Sequence, residues 1–330
     1  MTENSGYTYI DPPQLRYAAK PGDRYDLKMN QLIGEHTAGQ QLDVGLLGVP
    51  LSRSSITASA ASDNPNAIRS IWKSFGTYNI DYDVDLADLR IADLGDVKMH
   101  VTDIPRCHHN IEEAMVEALS RNPAYFPVSI GGDHSITCPL VKGFQRHHSG
   151  KTIGILQFDA HFDLRNLQDG GPSNGTPMRG LIESGTIEGR HIVNIGPHGY
   201  FNAYAYKKYA DEHSVNYYTL RQVRKQGIEH VMVEALTYLR EQVDLIYVTV
   251  DIDVLDAAFA PAAPASTPGG MWSSELLEAL YIAGQEPRTA ALDIVCLDPA
   301  RDPRHLITVK TGAYVIMNVL CGIKYRMQQT

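Results

Sequence analysis

Short β-branched or aliphatic runs alternate with longer amphipathic stretches from residue 42 onward, and that rhythm is what most narrows the folds open to this chain. Apolar runs with no polar alternation fit strands covered on both faces. Strands are predicted over 42–49, 89–94, 125–130, 152–158, 191–195, 215–218, 245–250 and 289–295. Helices are predicted over 66–75, 108–120, 136–147, 203–212, 227–242, 273–284 and 306–324. Strands that alternate with helices build βαβ units on a parallel sheet, and right-handed crossovers place helices on both faces. The expected class is therefore α/β, a three-layer α/β/α sandwich around a mainly parallel sheet. No compositional break divides the chain, so residues 41–330 read as one catalytic domain. Residues 1–40, polar and carrying Pro12, Pro13 and Pro21, read as an irregular arm that packs on the body or on a neighbouring subunit.

In open parallel sheets, ligands bind beyond the carboxyl ends of the strands. Three of these ends carry chemistry. The run 153–158 stops at Asp159-Ala160-His161-Phe162-Asp163. In an extended segment residues i, i+2 and i+4 share one side, so Asp159, His161 and Asp163 converge if strand geometry persists. The run ending at Ile130 leads into Gly131-Gly132-Asp133-His134-Ser135, where two glycines permit a tight turn and His134 stands at a helix start. The run ending at Val250 leads into Asp251-Ile252-Asp253-Val254-Leu255-Asp256, where Asp251 and Asp253 share a face and Asp256 braces the next turn. Buried carboxylates are costly without partners. Lys or Arg would be the ordinary partners, and only Arg165 lies near.

Together the three ends supply His134, Asp159, His161, Asp163, Asp251 and Asp253. Four carboxylates and two imidazoles exceed what one divalent ion needs. They suit two ions held about 3.5–4 Å apart by shared carboxylates. Oxygen and nitrogen donors without thiolate point to two Mn²⁺, with Ni²⁺, Co²⁺ or Zn²⁺ as alternatives. Such a pair lowers the pKa of a water from about 15.7 towards 7, so the constellation predicts hydrolysis.

Composition narrows the partners. A formal net charge of -9 argues against nucleic acid. No apolar stretch reaches the ~18–20 residues that span a bilayer, so no membrane partner is expected. Residues 1–11 lack the apolar core of a secretory signal, and Cys107, Cys138, Cys296 and Cys321 are scattered. The expectation is a cytoplasmic protein with reduced thiols.

The motifs Gly-Gly-Asp-His-Ser at 131–135, Asp-Ala-His-Phe-Asp at 159–163 and Asp-Ile-Asp-Val-Leu-Asp at 251–256 make the chain resemble the ureohydrolase (arginase/agmatinase) family over roughly residues 40–325. That resemblance implies an eight-stranded, mainly parallel sheet and a binuclear Mn²⁺ site. It implies one metal on His134, Asp163, Asp159 and Asp251, and the other on His161, Asp253, Asp159 and Asp251, with Asp159 and Asp251 bridging. It also implies a homo-oligomer, a trimer or hexamer, and hydrolysis of a C–N bond in a small amidine or guanidine.

Within the family the chain is most similar to the formimidoylglutamase branch. The residues that carry this are Asp159–Arg165, the loop 170–177, Leu51-Ser52-Arg53-Ser54-Ser55-Ile56 and His108-His109. Asn174 stands nearest to where arginases carry a shuttling histidine. Two departures bear on the substrate. Cys296 occupies the place of an acidic residue that grips the amidine or guanidinium, and His198 follows Gly196-Pro197 where an arginine is usual. The segment 58–65 also lacks the expected glycines.

Asp163 is the expected proton carrier, and Arg165, Asn174, His198 and Cys296 are the expected substrate contacts. Other readings of the same residues are a guanidino, agmatine-type or biguanide hydrolase, and a metal-bound, inactive regulatory subunit in a hetero-oligomer with an active paralogue. A metal-dependent deacetylase, using His108-His109 as its base pair, is a further rival.

Overall fold

The computed structural model describes residues 6–15, 22–36, 39–122 and 125–329. Its strands are β1 (Ile10–Asp11), β2 (Gly34–Glu35), β3 (Val44–Val49), β4 (Tyr78–Asn79), β5 (Val84–Asp85), β6 (Ile91–Val97), β7 (Phe126–Gly131), β8 (Ile153–Phe158), β9 (Ile192–Ile195), β10 (Asn216–Tyr218), β11 (Leu245–Asp251) and β12 (Thr289–Val295). The main sheet runs β1-β6-β3-β7-β12-β11-β8-β9-β10, and β2 also pairs with β6. From β6 to β10 the eight strands are mutually parallel. These are the eight expected from the sequence, each shifted by no more than a few residues. The two-residue β1 and β2 extend the sheet at its β6 edge, and β4 and β5 form a separate hairpin.

The apolar runs are strands because each has a core on both faces. Along β8, Ile153 and Ile155 point into one core while Leu156 and Phe158 point into the other. Along β11, Tyr247 faces the first and Val248 the second. Helices Ile104–Arg121, Thr137–His147, Pro177–Glu183 and Tyr204–Glu212 close one side. Helices Asn64–Ile71, Leu220–Gln226, Ile228–Gln242, Ser273–Gln285 and Ile307–Gln329 close the other. The three layers are those expected. Pro177–Glu183 and Leu220–Gln226 lie outside the predicted helices, because each has only seven residues, too few to show a periodicity.

Of the arm read over 1–40, residues 1–5, 16–21 and 37–38 lie outside the described residues. The rest carries β1, β2 and the one-turn helix Met29–Leu32. Ile10 is buried opposite Val97, so this part of the arm packs on the body of its own chain.

The sheet order positions the site. The chain leaves β7, builds β8, β9 and β10 outward, then returns to insert β11 and β12 between β7 and β8. The four central strands β7, β12, β11 and β8 thus end side by side, at the kind of switch point where α/β sheets bind ligands. Register fixes the levels. Val250 pairs with Phe158, so Asp251 and Asp159 stand level at the ends of neighbouring strands. Asp251 pairs with Val295, and Cys296 N donates to Gly132 O at 2.8 Å.

Candidate metal centre

Three strand ends turn by the same device. After β7, Asp133 Oδ1 accepts from Ser135 N at 3.0 Å. After β8, Asp159 Oδ1 accepts from His161 N at 2.6 Å. After β11, Asp251 Oδ1 accepts from Asp253 N at 2.9 Å. An aspartate that binds the backbone two residues on replaces the lost sheet ladder and bends the chain. Each of these carboxylates therefore shapes a turn, and the second oxygen has its own neighbours: Asp133 Oδ2 accepts from Ser54 N (3.1 Å), Asp159 Oδ2 accepts from Gln157 Nε2 (2.7 Å), and Asp251 Oδ2 faces His134 Nδ1 (3.2 Å).

This corrects the extended geometry expected after Phe158 and Val250. β8 stops at Phe158, and Ile252–Val254 is a single 3₁₀ turn. Asp163 has φ +53°, a left-handed conformation rare for a residue with a side chain. The convergence is real, but turns produce it. The Asp159 turn is held from outside by Asn202, whose carboxamide accepts from Phe162 N (2.9 Å) and donates to Ala160 O (2.8 Å).

The six polar groups form two sets around Asp159. His134 Nδ1 lies 2.7 Å from Asp163 Oδ2 and 3.2 Å from both Asp159 Oδ2 and Asp251 Oδ2. His161 Nδ1 lies 3.3 Å from Asp159 Oδ1 and 3.2 Å from Asp253 Oδ2. Asp159 thus offers one oxygen to each imidazole. Ligand atoms of His134, Asp159 and Asp251 come close enough for one ion, as do those of Asp159, His161 and Asp163. His134 Nδ1 and Asp163 Oδ2 are buried without a hydrogen-bond partner. Buried polar atoms are ordinarily satisfied. Two such orphans facing each other, with acidic neighbours and no thiolate among the six donors, fit a divalent cation.

A relay behind His134 fixes its tautomer. Its Nε2 lies 3.1 Å from Thr249 Oγ1, and that hydroxyl donates to Asp293 Oδ1 at 2.6 Å. With its one proton spent on Asp293, Thr249 must accept from Nε2–H, which turns the Nδ1 lone pair to the acids. Asp293 also accepts from Thr137 Oγ1 (2.9 Å) and Tyr247 Oη (3.0 Å).

The electrostatics are those of a site built for positive charge. Burial would lower the pKa of His134, but Asp163 and the other acids hold it well above the ordinary histidine value. Burial is likewise outweighed at His161, which Asp253 and Asp159 push up to about 12. Burial and the neighbouring Asp253 raise Asp251 to about 8. Burial and the charge of Asp159 raise Asp163 to about 6. Asp159, although buried, is held below the usual carboxylate range by His134 and His161.

Asp163, Asp251 and Asp253 open on a cavity of about 250 Å³, which Arg165, Asn174 and Phe201 also line. A wider cavity of about 770 Å³ adjoins it, sharing Ile56, Arg165 and Tyr206. Arg165 is exposed on both. Asn174 ties the loop 170–177 to the segment 51–56, because its Oδ1 accepts from Ile56 N (2.9 Å) and its N donates to Ser54 O (3.1 Å). Cys296 is buried with φ +60°. Burial and the charges of Asp251 and Asp253 hold its thiol well above its ordinary pKa, so it is neutral.

His198 is placed differently from the expectation. Its Nδ1 donates to Gly196 O (2.8 Å) and its Nε2 pairs with Thr267 Oγ1 (3.0 Å), so both nitrogens serve the loop, and it is not among the residues lining the acidic cavity. His108 is not at a helix start but in the second turn of Ile104–Arg121, with Nε2 3.1 Å from Ser135 Oγ. His109 stacks edge-on with Tyr9, so the two histidines do not act as a pair. Asp256 does brace its turn, accepting from Ala258 N (2.9 Å) and Gly269 N (2.6 Å).

Sequence reasoning missed Asp133, Thr249, Asp293, Asn202 and Phe201. The alternation in Tyr247-Val248-Thr249 marks Thr249 only weakly, Asp133 stands inside the Gly-Gly-Asp-His-Ser motif, and nothing local marks Asp293, Asn202 or Phe201.

Comparison with known proteins accords with this geometry. Formimidoylglutamase of Halalkalibacterium halodurans is 44% identical over 318 residues, 96% of this chain and 97% of that protein. The crystal structure of formimidoylglutamase from Bacillus subtilis superposes with a TM-score of 0.89 at 40% identity, covering 94% of this chain and 96% of that one. At 23% identity, a Trypanosoma cruzi formiminoglutamase solved with Mn²⁺ shares the fold, with a TM-score of 0.82 over 91% of this chain and 99% of that one. The arginase family model matches residues 42–322, and with relatives this similar over nearly its whole length the chain belongs to the arginase family.

Proposed function

We propose that the chain is a binuclear-metal hydrolase that cleaves N-formimidoyl-L-glutamate to L-glutamate and formamide. The observation that carries this is the pairing of two imidazoles with four aspartates about Asp159, with His134 Nδ1 and Asp163 Oδ2 buried and unsatisfied. The substrate is supported by relatives named formimidoylglutamase at 44% and 39% identity.

His134, Asp159, Asp163 and Asp251 would hold one ion, and His161, Asp253, Asp159 and Asp251 the other. Mn²⁺ is the ion expected and Ni²⁺ the alternative. Bound there, such a pair supplies Lewis acidity and brings the pKa of a water from about 15.7 towards 7. The protein's own groups do the rest. The Thr249–Asp293 relay keeps the His134 lone pair pointed inward. Asp163, at the cavity edge, would take a proton from water and return it to the leaving nitrogen. Arg165, free on the surface between the two cavities, suits a carboxylate of the substrate tail. Asn174 shapes the entrance, and Cys296, buried beside Asp251 and not among the residues lining the acidic cavity, keeps a neutral side chain behind it. His198 acts through the loop it holds.

Residues 41–330 form the catalytic unit of this reading, in a cytoplasmic homo-oligomer of three or six chains, which sedimentation would count. The deciding assay follows formamide and glutamate release by the metal-loaded protein, with Mn²⁺ and Ni²⁺ compared. Agmatine and biguanides serve as rival substrates. Faster turnover of a rival would sink the formimidoyl assignment. Failure to turn over any amidine with two ions bound would favour the regulatory-subunit reading.

A further inference from the structure

Phe201 is 60% exposed, yet its backbone is held on both sides. Three residues before it, His198 is tied to Gly196 O and Thr267 Oγ1. One residue after it, Asn202 is clamped to Phe162 N and Ala160 O. Between these clamps the ring stands edge-to-face with His161, centroids 5.7 Å apart, and lines the same cavity as Asp163, Asp251 and Asp253. A large apolar ring fixed over this cavity and left 60% exposed gains little from the fold beyond its contact with His161. Its burial waits on a ligand.

An amidine is protonated, planar and cationic at neutral pH. Such a cation is drawn to an aromatic face within about 6 Å of the ring centre. Once the four carboxylates hold two divalent ions their charge is balanced, so the aromatic face offers an attraction that they no longer supply. We infer that Phe201 is a specificity-determining residue whose ring binds the cationic amidinium of the substrate, a role that rests on the proposal that this site takes an amidine. It explains why the loop 198–202 is clamped so firmly: His198 and Asn202 hold the ring in position.

The test uses Phe201→Leu, which keeps an apolar side chain without a π face, and Phe201→Trp, which keeps the π face. Dissociation constants of acetamidinium and of neutral acetamide are measured on the Mn²⁺-loaded protein, beside KM and kcat for formimidoylglutamate and the metal content. Loss of the π face should weaken acetamidinium binding and raise KM by about three- to thirtyfold. Acetamide binding, kcat and metal content should stay as in the wild type, and Phe201→Trp should bind acetamidinium at least as tightly as the wild type. Three results would each overturn the inference: wild-type acetamidinium affinity in Phe201→Leu, equal losses for both probes, or a loss of metal. If the wild type binds acetamidinium in this Phe201-dependent way but does not hydrolyse formimidoylglutamate, the proposed substrate fails and the role of Phe201 stands.

Discussion

His134 Nδ1 and Asp163 Oδ2 stand 2.7 Å apart, both buried, and neither completes a hydrogen bond. Leaving a buried polar atom unsatisfied costs about 1–3 kcal/mol, so a fold that keeps two of them in contact is organised for something else to sit against both. Asp159 and Asp251 face the same nitrogen. Asp159→Ala and Asp251→Ala should each abolish activity and bound metal while leaving the cooperative thermal transition in place. Normal turnover in either variant would rule out the bridging roles.

Thr249 never meets the cavity, but it decides which His134 nitrogen faces the acids. Thr249→Val keeps the shape and removes the hydroxyl. Metal affinity should fall about 10–100-fold, the usual cost of losing such an orienting contact. Thr249→Ser should restore it. Metal titration of the apo-protein reads both, and an unchanged affinity in Thr249→Val would dismiss the relay.

Metal uptake should release protons. Without a cation, His134 and His161 stay protonated at neutral pH because Asp163, Asp253 and Asp159 outweigh the effect of burial. Asp251 keeps its proton up to about 8 through burial and the charge of Asp253. A ligand must lose its proton to bind metal, so affinity should weaken as pH falls and keep rising through pH 8, where Asp251 has lost its proton but His161, pushed up to about 12, has not. More than one proton per chain should appear when Mn²⁺ is added to metal-free protein at pH 7. Calorimetry in buffers of different ionisation enthalpy would count them, and a count of zero would contradict the site.

Cys296→Glu introduces a carboxylate beside Asp251 and Asp253. A charge-assisted contact to a guanidinium becomes possible there. The ratio of kcat/KM for agmatine to that for formimidoylglutamate should rise. An unchanged ratio would show that this position does not meet substrate.

Stability has its own polar centre. Arg69, almost wholly buried, binds Asp93 through Nε (2.7 Å) and Nη2 (3.0 Å) and Asp96 through Nη1 (2.7 Å), tying helix Asn64–Ile71 to β6. Arg69→Met removes the only cation of this trio. Unfolding free energy should drop by about 3–5 kcal/mol, because two acids remain buried without it. Denaturant titration measures this, and a drop below about 1 kcal/mol would mean the trio is largely solvated.

Parts of the molecule were legible because their causes are local. The apolar runs give strands, and the aspartates at 133, 159 and 251 bend the chain by binding the backbone two residues on. Those short-range bonds put the donor atoms of the three motifs at strand ends, so the six candidate ligands could be read from the sequence. The tertiary structure decided what depends on distant residues. Inserting β11 and β12 between β7 and β8 makes the three ends neighbours. Thr249 and Asp293 set the tautomer of His134 from two further strands. His198 could be taken for a substrate contact until Thr267, 69 residues away, was seen to engage it. Phe201 has no sequence signal, since an exposed aromatic acquires its role only from the acids that the sheet order brings beneath it.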